Sequence, residues 1–351
     1  MSQSPKQVID SVFDRAAPDR YPSTFSAQSV AVYRAGYTME RFMNLPPAEQ
    51  ARFSYDTAKE HGGDFLHIGL GGTVAVAALG GKIKFRAHGP ADVEEPLVKS
   101  IADLDKVDIG KVRQYHYYQT ALETARHIVA LAGGEYHIQT GSWGIFTQAG
   151  LFYGAERLMR AVVKDKQAVY ALLDFTLEFY KSLVGGFIDL GATYGGGADP
   201  TSSGDLISKR AFEEFSLPYL RKTYEWYRSR GLKTQLHICG DINDRVDLIP
   251  DTLTDALSVD YKVDILRAAG ILDGRVIIGG NADPATSILT GSPESLRREY
   301  GAIADSLEGY PYIIMPGCGI PQHTPLENID AVNAFARSRA PAPYAHTGRR
   351  P

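Results

Sequence analysis

The nine residues "KTQLHICGD", 233–241, read as a strand that ends in chemistry. Leu236 and Ile238 alternate with His237 and Cys239, so the latter two share one face of an extended chain. Gly240 and Asp241 then mark a turn. The same form, a short apolar run ending in glycine or turn residues, recurs in "DFLHIGL" (64–70), "EYHIQTG" (135–141), "ATYGGGAD" (192–199), "DALSVDY" (255–261), "VIIGGNAD" (276–283) and "YIIMPGC" (312–318). Amphipathic helical stretches separate most of these runs. Strands alternating with helices imply a parallel sheet. Seven or eight such units in 351 residues predict an α/β fold, a TIM (β/α)8 barrel. A doubly wound sheet is the alternative, but no G-x-G-x-x-G lies between a strand and a helix to favour it.

The helices carry readable ends. Ser208 caps "SKRAFEEFSLPYLRKTYEWYRSRG", a helix that Pro218 should kink and Gly231 should stop. Asp283 before Pro284 and Ser292 before Pro293 read as N-cap and first helical residue. Thr324, Pro325 and Glu327 have the T-x-x-E spacing of a capping box. Residues 1–60 read as a helical lead-in, and 74–98 as a small β-hairpin inserted after the first strand. Residues 1–336 form one barrel domain in this reading. The Pro- and Arg-rich segment 337–351 is expected to be disordered.

A hydrophobic fraction of 44% and a charged fraction of 22% are those of a soluble enzyme. A net charge of −4 without a basic block argues against nucleic acid as a partner. No run of 18 apolar residues predicts a membrane span, and the first residues lack a signal-peptide core. Two cysteines do not make a secreted disulfide framework, so a cytoplasmic location with reduced thiols is expected.

In a TIM barrel the C-terminal ends of the strands form the active face. His67, His137, Asp199, His237, Cys239, Asp260, Asn281, Asp283 and Cys318 all fall at or near these runs' ends. His237 and Cys239 share a strand face, and Cys318 ends the last of these strand runs. One imidazole and two thiolates suit Zn²⁺, which uses three protein ligands when catalytic. Two free buried cysteines are the competing reading. His67, His137, Asp199, Asp260 and Asn281 are the substrate-binding candidates. His67 and His137 also suit packing, Asp199 a loop cap, and Asn281 a turn. Asp283 suits an N-cap. Trp143, Phe146, Phe152 and Tyr153 suit a core more than a pocket.

Taken together, "GADPTSSGDLISKRAFEEFSLPYL" (197–220), "LHICGD" (236–241), "DALSVDYKVDI" (255–265), "IGGNADP" (278–284), "GSPESLRRE" (291–299) and "PGCGIPQHTPLENIDA" (316–331) resemble the uroporphyrinogen decarboxylase superfamily, and within it the cobamide-dependent methyltransferases. The N-terminal half matches only through "EHGGDFLHI" and "ALGGKI". The resemblance implies a TIM barrel with a zinc site of H-x-C…C type on His237, Cys239 and Cys318. It also implies methyl transfer between a corrinoid (methylcobalamin) and a small thiol, tetrahydrofolate, methyl ether or methylamine. The sequence leaves the direction open, so demethylation is included. No D-x-H-x-x-G corrinoid signature is present, so a partner corrinoid protein is expected to carry the cofactor. The arginine-rich "RQAGR" pattern of the decarboxylases is replaced by "RAAPDRYPSTF" (15–25), with Arg20 and Arg34 the only early arginine candidates for holding substrate carboxylates. A metal-free lyase and a non-catalytic binding barrel are the alternatives.

Overall fold

The computed structural model describes residues 2–87 and 89–345. Seven parallel strands follow one another around a curled sheet: β1 (Phe65–Ile68), β4 (His137–Trp143), β5 (Tyr194–Ala198), β6 (Lys233–Ile238), β7 (Ala256–Val259), β8 (Ile277–Ala282) and β9 (Tyr312–Pro316). β2 (Lys82–Lys84) and β3 (Asp92–Glu95) form a separate antiparallel hairpin. It is shorter than the 74–98 expected, because Gly72–Ala78 is a buried helix that packs under it.

An eighth position closes the ring. Thr24 N–H donates to the Ile314 carbonyl (3.0 Å), Ile314 N–H to the Pro22 carbonyl (2.9 Å), and Asp64 N–H to the Ser23 carbonyl (2.8 Å). Residues 22–24 therefore lie between β9 and β1, inside the stretch expected to be a helical lead-in. The rest of that stretch is largely helical, as Pro5–Phe13, Gln28–Arg34, Met39–Met43 and Pro47–His61.

The period of two along each strand sorts side chains between the helical shell and the barrel interior. At the base, Tyr194, Ala256, Ile277, Ile313 and Met315 pack with Ile9, Val12 and Phe13 of the first helix and with Tyr344. This apolar stopper closes the N-terminal end of the barrel. Tyr344 is buried, and Ala345 N–H donates to the Gly309 carbonyl, so the expected disorder from 337 onward is corrected up to residue 345. Residues 346–351 lie outside the described residues.

Helix ends show where local rules hold. Ser208, Asp283 and Ser292 each accept a backbone N–H at a helix start. Pro218 cannot donate to the turn before it. The helix meets this with a wide π turn at Phe212–Ser216 before running on as Leu217–Ser229. The capping box at Thr324 does not form: the Thr324 hydroxyl is buried without a hydrogen-bond partner, and Pro325 takes the cap position. No helix among the described residues is long and apolar enough to cross a membrane.

Candidate metal centre

β6 carries a ladder of inward residues from base to mouth: Lys233, Gln235, His237 and then Cys239 just past its end. Lys233 stands near Asp10 at the base (3.5 Å), and Gln235 accepts a hydrogen bond from the Tyr194 hydroxyl (3.1 Å). His237 and Cys239 reach the mouth. Cys318, two residues beyond β9, meets them there.

His237 Nε2 lies 2.9 Å from Cys239 Sγ, which lies 2.9 Å from Cys318 Sγ, and one ligand atom from each residue falls within 4.8 Å of the others. Both cysteines are free thiols. Zinc bonds of about 2.3 Å to sulfur and 2.0–2.1 Å to nitrogen in tetrahedral geometry place ligand atoms about 3.5–3.8 Å apart, so the three side chains would part by under about 1 Å to take the ion between them. The other edge of the imidazole is already committed. His237 Nδ1 is 3.1 Å from both the carbonyl and the hydroxyl of Ser258, its register partner on β7. A proton on Nδ1 directed at that carbonyl leaves the Nε2 lone pair facing the sulfurs, which is how metal-bound histidines are oriented.

The two thiols are electrostatically linked. The contact with the Cys239 thiol, and after it the neighbouring His237 ring, hold the Cys318 thiol well below the usual thiol range. Cys239 is driven up by the same contact with Cys318, by burial and by the nearby charge of Asp260. The two shifts are opposed because a second thiolate this close to the first would meet a like charge. A divalent ion would remove that conflict by binding both as thiolates.

The three residues adjoin a cavity of about 940 Å³ that opens at the barrel mouth and is lined by His237. Its walls include Val32, Tyr33, Tyr37 and Met39 from the N-terminal helices, Trp143 from β4, and Ile320. Trp143 donates to Thr73 Oγ1 (3.3 Å). Phe146 and Phe152 are buried in the helical shell instead. Gly196 keeps the interior open at β5, where an added Cβ would come within 2.5 Å of Gln139 Nε2.

The remaining candidates scatter. His67 faces the cavity, open to it but deep in the barrel, and desolvation lowers its pKa. Asp260 is buried beside the centre, where it accepts from Lys262 N–H (2.9 Å) and its charge acts on Cys239. Three others are held in structural contacts, and His137 among them is corrected to the base of the barrel. His137 opens β4 at the opposite end of the barrel, held between Thr193 (2.9 Å) and Asp10 (3.0 Å). Asp199 is buried and accepts from the backbone N–H (2.8 Å) and hydroxyl (2.6 Å) of Thr147, fastening the start of the helix Ile145–Tyr153. Burial raises its pKa. Asn281 donates to the carbonyls of Asp260 (3.2 Å) and Val263 (2.8 Å), bracing the loop after β7. Gln139, Gln235 and Ser258 were not singled out from the sequence. Alternation along β6 carries the signal for Gln235, whereas Ser258 needs the register of two strands.

The family model for uroporphyrinogen decarboxylase (URO-D) matches residues 4–339. The methylcobamide:CoM methyltransferase MtbA of Methanosarcina mazei is 29% identical over 246 residues, 69% of each chain. Its namesake from Methanosarcina acetivorans is 31% identical over 173 residues, 49% of this chain and 50% of the relative. A uroporphyrinogen decarboxylase of Pseudomonas fluorescens is 26% identical over 262 residues, 69% of this chain and 68% of the relative. Among solved structures, a methyltransferase from Methanosarcina mazei superposes with a TM-score of 0.85 at 22% identity, over 96% of this chain and 99% of that one, which shows the fold.

Proposed function

This chain belongs to the uroporphyrinogen decarboxylase family, and on that premise we propose that it is a corrinoid-dependent methyltransferase acting on a small thiol held at a zinc centre of His237, Cys239 and Cys318. The observation that carries this reading is the convergence of one imidazole and two thiols, from β6 and the end of β9, beside a large open cavity on the C-terminal face. The relatives named methylcobamide:CoM methyltransferases support the reaction class.

Zinc, when bound, lowers the pKa of a coordinated thiol so that it is a thiolate at neutral pH. The chain's residues do the rest. His237 is held by Ser258 with one ring nitrogen toward the sulfurs. The cavity seats the acceptor beside the centre and leaves the mouth open to a corrinoid protein, the co-substrate. In the transfer, a lone pair of the thiolate sulfur forms the S–CH3 bond. The Co–C bond breaks with both electrons retained by cobalt, giving cob(I)alamin, and the thiol proton passes to solvent. In-line approach of sulfur to the methyl carbon is the main geometric demand.

The decarboxylase alternative requires cationic groups for a polycarboxylate substrate. Among the described residues no arginine or lysine lines the cavity. Arg20 is paired with Asp64. The purified protein is expected to hold about one zinc per chain, the stoichiometry of a three-ligand catalytic site. Cys239→Ser and Cys318→Ser should each lose most of it by metal analysis while circular dichroism stays native. Full zinc in both variants would remove these residues from the site. With metal bound, methylcobalamin and a thiol should yield cob(I)alamin, followed by absorption.

A further inference from the structure

The thiol in the relatives' name, CoM, is a sulfonate: 2-mercaptoethanesulfonate carries a fixed negative charge two carbons from sulfur. The cavity here is built for something else. Among the described residues, no Lys, Arg, Asp or Glu side chain lines it. Its polar groups are uncharged amides, hydroxyls and histidine rings, with Gln139, Gln235 and Ser142 set among apolar walls. His67 offers no fixed cation: its ring is open to the cavity, and desolvation by the surrounding barrel lowers its pKa. Buried Asp260, close enough to act on Cys239, has the wrong sign for an anion. A desolvated anion needs a partner, and a neutral ligand does not.

Building on the thiol methyltransferase reading above, we propose that the acceptor is a neutral, largely apolar thiol, and that the site discriminates against thiols bearing a sulfonate or carboxylate. Trp143 and Ile320 supply the apolar contact, and the glutamines supply neutral hydrogen bonds.

The test uses the full-length protein loaded with cobalt(II), whose thiolate charge-transfer absorption reports thiol binding without any corrinoid. 2-Mercaptoethanol and 2-mercaptoethanesulfonate share a carbon skeleton and differ in the head group. The neutral thiol should bind at least about tenfold tighter, the scale on which pockets reject a mismatched group. Ile320→Lys, which adds a cation two residues past Cys318, should narrow or reverse that preference. Equal affinity, or tighter binding of the sulfonate by the wild-type protein, overturns the inference while leaving the metal site standing. Cobalt that fails to bind, or that binds equally after Cys239→Ser, removes the centre and takes both readings down.

Discussion

His237 and Ser258 are register partners on neighbouring strands, and that pairing gives the imidazole its orientation. Two oxygens of one residue stand at 3.1 Å from Nδ1, so either can accept its proton. Outer partners of metal-bound histidines are typically worth about 10–100-fold in metal affinity. Ser258→Ala leaves the backbone carbonyl in place. Zinc affinity, measured by chelator competition, is therefore expected to fall by about tenfold, the low end of that range. Unchanged affinity would show that the carbonyl alone sets the ring. The sequence displays His237 and Cys239 on one face by simple alternation. It displays Cys318 only once a barrel is assumed, and Ser258 not at all, because a contact across strands depends on register rather than on spacing.

At the scale of elements, the same strand runs ends of opposite character. His67 and His237, toward the C-terminal ends of their strands, face the cavity, while Lys233 and His137, at the N-terminal ends, meet Asp10 at the base. His137 shows why position in the run matters: it is the first residue of β4, not the last, so it meets Asp10 of the first helix. Strand runs were legible because apolar residues bracketed by glycine have few other uses, and the seven expected runs all contain strands. Which end of a run a polar residue occupied was the harder question. The buried His137 also predicts a pH effect. Desolvation lowers its folded pKa below 6.5 despite the opposing Asp10. The unfolded chain then takes up the proton first as pH falls, so stability is full above that value and declines below it. Asp10, whose folded pKa is also lowered, loses its contribution in a more acidic window, below its ordinary 3.8. The thermal midpoint is expected to drop between pH 7 and pH 5, and His137→Gln should flatten part of that slope. His67, shifted in the same direction, supplies another part. An equally steep slope in His137→Gln would place the titration elsewhere.

Over the whole molecule, the least legible feature is the one that closes it. Residues 22–24 are too short for a periodic pattern and include a proline, which lacks a strand donor. Their place is set by side chains distant in sequence. Asp64 accepts from Ser23 N–H (2.7 Å) and from both terminal nitrogens of Arg20 (3.0 and 2.5 Å). Asn333 of the last helix accepts from the Ser23 hydroxyl (2.6 Å) and donates to the Phe25 and His61 carbonyls (3.1 and 2.7 Å). The closing segment is thus pinned to β1 on one side and to the C-terminal helix on the other. Arg20→Ala would strand the Asp64 carboxylate, whose side chain is 4% exposed, with only one backbone donor named above. Breaking a buried pair costs about 3–5 kcal/mol, because the remaining charge stays desolvated. Arg52 and Asp56 make an ion pair of similar length with side chains 64% and 49% exposed, and such pairs contribute about 0–1 kcal/mol. Urea titrations of Arg20→Ala and Arg52→Ala at a common m-value should therefore differ by several kcal/mol. If the two variants unfold at the same midpoint, the Arg20–Asp64 pair does not hold the barrel closed, and the backbone bonds of residues 22–24 to β9 and Asp64 carry the closure alone.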